Sequence, residues 1–214
     1  MSTTTPQADV AEAESKGWRR LTKAASELLA PAGLVLTLPW LVTWHATQQW
    51  GSTALWGLVV GITGSAIPMT IILRGVRVGR YDSHHVSRRE ERLVPFLICL
   101  GSLAVGWTVQ ILGHAPHPVI ALTISMFAAL AVCLAITMIL RWKISIHVAV
   151  ATGAVPVLVI DYGPWLALLG VLIVLVAWSR VVLSAHTLGQ AIGGLIIGAL
   201  AGGLLYPVLV HAMQ

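Results

Sequence analysis

The feature that most constrains this chain is a series of apolar runs, each about as long as a bilayer crossing. A helix rises about 1.5 Å per residue, so about 20 apolar residues cover the ~30 Å hydrocarbon core. Such runs occupy residues 28–49, 54–73, 93–113, 118–140, 146–161, 165–183 and 188–210. Charged residues make up only 10% of the 214, against roughly 25% in a soluble domain, and mean hydropathy is +0.86. In lipid every backbone N–H and C=O must be paired within its own segment, which leaves helices as the spanning form for runs of this length. The expectation is an all-α fold, a polytopic membrane bundle of six to seven transmembrane helices. Residues 28–214 form one membrane-embedded domain. Residues 1–27 read as a polar tail, disordered or interfacial, with GWRRLTKAASELL suited to a short helix on the membrane surface. The N-terminus lacks an apolar core followed by a cleavage site, so no removable signal peptide is evident.

One connection is long, RGVRVGRYDSHHVSRREER at residues 74–92, and the others are short. Seven alternating spans divide these connections between two membrane faces. All thirteen Lys and Arg residues then fall on the face that carries the N-terminus: Lys16, Arg19, Arg20, Lys23, Arg74, Arg77, Arg80, Arg88, Arg89, Arg92, Arg141, Lys143 and Arg180. Cytoplasmic loops carry the excess of Lys and Arg, so this face is expected to be cytoplasmic in a multi-pass protein of the cell membrane. The same bias accounts for the pI of 9.8. No basic stretch is interleaved with stacking aromatics, which argues against nucleic acid as a partner. Cys99 and Cys133 both fall inside apolar runs and read as packing thiols rather than a disulfide. The glycine-rich GQAIGGLIIGALAGG has no strand before it, so it reads as close helix packing in lipid and not as a phosphate loop.

The histidines divide less evenly. His45, His114, His117 and His211 fall on the side without cations and read as interfacial residues, whereas His84, His85, His147 and His186 share the basic face. On that face Arg92 precedes the third long run, Ser145 and His147 open the fifth in KISIHVAV, and His186 opens the seventh, with Arg180 close by in WSRVVLSAHTLGQAIGG. Free N–H groups and the helix dipole make helix N-termini favourable for anions, and guanidinium groups bind phosphate through paired planar hydrogen bonds. Taken singly, Arg180 and Lys143 read as anchors snorkelling to headgroups, a lone histidine as a cap, and the long basic loop as an attractor of anionic lipid. Taken together they favour a phosphate site.

These residues resemble the type 2 phosphatidic acid phosphatase superfamily of integral membrane lipid phosphatases. That family carries K-x6-R-P, then P-S-G-H, then S-R-x5-H-x3-D. SRVVLSAHTLGQ is similar to the third motif through Ser179, Arg180 and His186, with Gln190 where the family has Asp. ISIH is similar to the second through Ser145 and His147, with Ile144 and Ile146 in place of Pro and Gly. HVSRREERLVP is a degenerate first motif, in which Arg92 fits, His85 stands where Lys is expected, and proline arrives late at Pro95. The likeness covers about residues 74–200. It implies that His186 is the nucleophile, forming a phosphohistidine, and that His147 is the general acid for the leaving oxygen. It further implies that Gln190 orients the His186 ring, and that Arg92, Arg180, Ser145, Ser179 and His85 bind the substrate phosphate. No metal or other cofactor is required by that chemistry. The implied substrate is a lipid-linked phosphate or diphosphate, of prenyl, polyprenyl or glycerolipid type, reached from among the membrane lipids.

Gln190 cannot supply the negative charge of the family's Asp. A lipid-phosphate binding or transport protein on the same scaffold is therefore the alternative function. A haem or metal protein is a third reading. Its ligands would need to face one another within the membrane, and the basic-face histidines lie at one rim.

Overall fold

A computed structural model describes residues 31–79 and 93–214 of the chain. The N-terminal tail with its expected surface helix, and most of the 74–92 connection, lie outside the described residues. The described residues are all-helical. Helix α1 is Pro31–Thr47; α2, Trp50–Gly61, runs through a π-turn at Ile62–Ala66 into α3, Ile67–Arg77. Helices α4, Leu93–Leu112, and α5, His117–Ile139, form the next pair, followed by α6, Ile146–Tyr162. A 3₁₀ turn at Pro164–Leu169 leads into α7, Gly170–Val182. Helix α8, Leu188–Leu200, passes through a second π-turn at Ala201–Leu205 into α9, Tyr206–Ala212. Among the described residues this is a bundle of seven apolar helical rods. Five of them, Trp50–Arg77, Leu93–Leu112, His117–Ile139, Pro164–Val182 and Leu188–Ala212, are long and apolar enough to cross a membrane.

The two π-turns have a common origin in sequence. Each is followed at the second residue by a proline, Pro68 in GSAIP and Pro207 in GLLYP. A proline within a helix lacks its N–H and drives its ring against the carbonyl four residues earlier. Widening the preceding turn relieves that clash without ending the helix.

Helix α6 is the centre of the bundle, packing against α1, α7, α8 and α9. Its tightest partner is α8, where glycine recurs every fourth residue. A Cβ at Gly194 would meet the Ser145 carbonyl, one at Gly198 the Ala149 carbonyl, and one at Gly202 the Gly153 carbonyl. The two backbones therefore touch, as small residues permit in lipid. The main core joins Leu38, Val42, Trp56, Val60, Val119, Val157 and Tyr206. Some buried polar groups are paired across helices: the Gln110 amide and Thr123 hydroxyl exchange bonds of 2.9 and 3.1 Å between α4 and α5. The Tyr206 hydroxyl donates to Asp161 at 2.9 Å, tying α9 to α6. Such pairing avoids the cost of burying an unbonded polar group. Outward faces carry Leu55, Val105, Val174, Leu200 and many other exposed branched residues, a surface matched to lipid and not to water.

Candidate phosphate site

The site begins with the end of α7. After Val182 the chain reverses at Ser184, whose φ of 53° puts a non-glycine residue in the left-handed region, the usual device for stopping a helix. The reversal brings the N–H groups of Ala185 and His186 back onto the Arg180 carbonyl at 3.0 and 3.2 Å. The five-residue spacing between Arg180 and His186 is thus closed by backbone hydrogen bonds, which fix the two residues beside one another. Both are buried, Arg180 at 6% and His186 at 7% exposure.

The α5–α6 connection completes the surroundings of the imidazole. Arg141, with φ 55°, turns the chain sharply at the end of α5. The following segment then lies against the α7–α8 turn: the Lys143 ammonium donates to the Ala185 carbonyl at 3.2 Å, and the Ser145 N–H donates to the Gln190 carbonyl at 3.2 Å. Nδ1 of His186 faces two oxygens at 3.2 Å each, the Lys143 backbone carbonyl and Oε1 of Gln190. A backbone carbonyl can only accept, so these contacts favour a proton on Nδ1. The Gln190 side chain is itself held. It belongs to a capping box in which Thr187 N–H donates to Gln190 Oε1 at 3.2 Å and Gln190 N–H donates to Thr187 Oγ1 at 3.3 Å.

His147, in the first turn of α6, joins Arg180 and His186 in lining one cavity of about 600 Å³. The rest of its wall is apolar apart from Ser65 and Ser125. The other expected phosphate ligands are placed differently. Ser179 is fully buried and its hydroxyl donates to the Val176 carbonyl of its own helix at 2.8 Å. Ser145 is also fully buried, its hydroxyl has no hydrogen-bond partner among the described residues, and neither serine lines the cavity. Gln190 meets the imidazole at Nδ1 and is not in the cavity wall. Arg92 and His85 lie outside the described residues, although Pro95, three residues after Arg92, does line the cavity. Lys143 is the contributor that sequence reading missed. Its part is played by a backbone carbonyl, which leaves no side-chain signature, and the ammonium reads as a headgroup anchor. Among the described residues no group of three His, Cys, Asp or Glu side chains gathers as a metal would require.

The chain matches no protein-family model, no curated protein and no solved structure. Fold and site together define a class only: an apolar helical bundle with a cavity whose wall carries two histidines and a buried arginine.

Proposed function

We propose that this protein is a membrane lipid phosphatase that hydrolyses a lipid-linked phosphate or diphosphate through a phosphohistidine. The observation that carries the reading is the shared cavity of His147, Arg180 and His186, together with the two oxygens that face Nδ1 of His186. In the neutral ring with its proton on Nδ1, Nε2 attacks phosphorus in line with the leaving oxygen. As the P–N bond forms, the P–O bond breaks, and its electron pair goes to the leaving oxygen, which takes a proton from His147. Water then attacks the phosphohistidine, His147 receives the water proton, and inorganic phosphate leaves with His186 restored. Arg180, joined by Arg92 as the motif resemblance implies, neutralises the non-bridging oxygens as charge redistributes, and such preorganised electrostatics usually form the largest catalytic contribution. Substrate enters from the membrane plane, with the site on the cytoplasmic side of the cell membrane.

The test is phosphate release from lipid phosphates by purified protein in EDTA. Turnover that survives chelation and disappears in His186→Ala supports the reading, and a metal requirement would overturn this mechanism. One observation favours a second reading. The acceptor beside His186 is a neutral amide, so the imidazolium formed during transfer gains no ionic partner there. A lipid-phosphate binding or transport protein needs none, and it would retain affinity in His186→Ala while releasing no phosphate in either form.

A further inference from the structure

The cavity is far larger than a phosphate group needs, and it runs inward from the histidines. Along α6 its wall extends from His147 to Val157, ten residues or about 15 Å of helix rise, roughly half the hydrocarbon core. Both π-turns open onto it, through Gly64 and Ser65 on one side and Ala201 and Gly202 on the other. Widened turns are frequent where helices line functional sites, and here two of them, each set before a proline, shape the same space. Cys99 and Ala129 also contribute wall surface and are only half-buried.

We propose that this space holds one apolar chain of the phosphate-bearing substrate, and that the site therefore takes single-chain lipid phosphates in preference to two-chain glycerolipid phosphates. The inference rests on the phosphatase reading for the headgroup and adds the identity of the tail. A methylene occupies about as much space as a liquid water molecule, about 30 Å³, so about 600 Å³ accommodates one chain of about 15 to 20 carbons. Two long acyl chains with their glycerol exceed that volume. Continuity with Arg180, His147 and His186 identifies the occupant: an anionic head at the cationic end and a hydrocarbon tail along the apolar wall form one molecule.

The test uses the full-length protein in nanodiscs. Equilibrium binding of farnesyl monophosphate, pentadecyl monophosphate, a five-carbon prenyl monophosphate and dioleoyl phosphatidate is measured with His186→Ala, which prevents turnover. Hydrolysis of the same compounds is followed with the unmodified chain. Farnesyl or pentadecyl monophosphate should bind at least tenfold more tightly than phosphatidate, and the better of the two separates a branched prenyl source from a linear one. Cys99→Phe and Ala129→Phe, each introduced singly and checked for folding by thermal melting, should lower the fifteen-carbon to five-carbon affinity ratio about tenfold. Phosphatidate binding as well as the single-chain compounds would overturn the proposal. So would an unchanged ratio in both folded variants, as expected if the space merely holds a structural membrane lipid. Chain-selective binding without phosphate release from any compound would leave the cavity assignment standing and reject the phosphatase reading.

Discussion

Gln190 serves the helix and the imidazole with one oxygen. Oε1 accepts from Thr187 N–H and from His186 Nδ1–H, each at 3.2 Å, so the ring is aligned by a group already fixed by its capping role. The Lys143 carbonyl shares the task, and the tautomer does not depend on Gln190 alone. In another enzyme class, the neutral replacement of a histidine-orienting Asp costs about 10⁴ in rate, mainly through the wrong tautomer. Here a second carbonyl guards the tautomer, so Gln190→Ala should slow phosphate release by much less than that factor. It should also lower stability by about 1 kcal/mol through the lost cap, read as a lower melting temperature. Gln190→Asp places a charge beside the imidazole, raises its basicity, and should increase turnover. An unchanged rate in Gln190→Asp, combined with no loss in His186→Ala, would reject the nucleophile assignment. His147→Ala should harm monoester hydrolysis more than diphosphate hydrolysis, because a phosphate leaving group needs its proton less than an alkoxide does. Equal losses on both substrates would remove His147 from the acid role. The residues of this site were legible in sequence to unequal degrees. Arg180, His186 and His147 announce themselves as polar groups at the edges of apolar runs, whereas the Lys143 carbonyl and the inward-turned Ser179 hydroxyl emerge only once the turns are folded.

The helices were legible because lipid imposes a length on them: each of the seven expected runs overlaps an observed rod, with ends shifted by a few residues. The π-turns were not, because a widened turn leaves the apolar pattern intact and betrays itself only through the proline that follows. The α6–α8 contact lies between these cases, since GQAIGGLIIGALAGG signals close packing without naming the partner. This contact sets the distance between His147 on α6 and the turn that carries His186 before α8. At Gly198 any Cβ would collide with the Ala149 carbonyl, which is rigid backbone. Gly198→Leu should therefore force the two helices apart, at a cost in the range of overpacked cores, about 1–3 kcal/mol. Activity should fall further than stability, because the two histidines separate while each remains chemically intact. Gly101→Ala in α4 is the matched control, with nothing within 4 Å of the new methyl. It should stabilise the helix slightly, by up to about 1 kcal/mol. Equal activity in the two variants at a temperature where both are folded would show that α6–α8 spacing does not position the site.

Across the whole molecule, the described cations gather where the site lies. Arg74 and Arg77 end α3, Arg141 and Lys143 lie in the α5–α6 connection, and Arg180 ends α7. The other end of the bundle instead carries Asp161 bonded to Tyr206, with the His45 and Tyr162 rings 5.1 Å apart and tilted by 58°. Two forces could produce the cationic asymmetry. Insertion retains Lys and Arg in cytoplasmic loops, whereas a phosphate site requires arginine whichever way it faces. The two are separable because Arg74, Arg77 and Arg141 lie outside the cavity wall that Arg180 joins. If insertion dominates, the site faces the cytoplasm. Single cysteines at Val78, which is 78% exposed, and at the exposed His117 place one probe at each end of the bundle. Neither position belongs to the site, and Cys99 and Cys133 lie within helices α4 and α5. In intact cells an impermeant thiol reagent should spare Val78→Cys until the membrane is permeabilised, and should modify His117→Cys directly. The opposite pattern would place the cationic end outside. The arginines would then have been set by substrate against the insertion bias, and the lipid phosphate would be drawn from the outer leaflet.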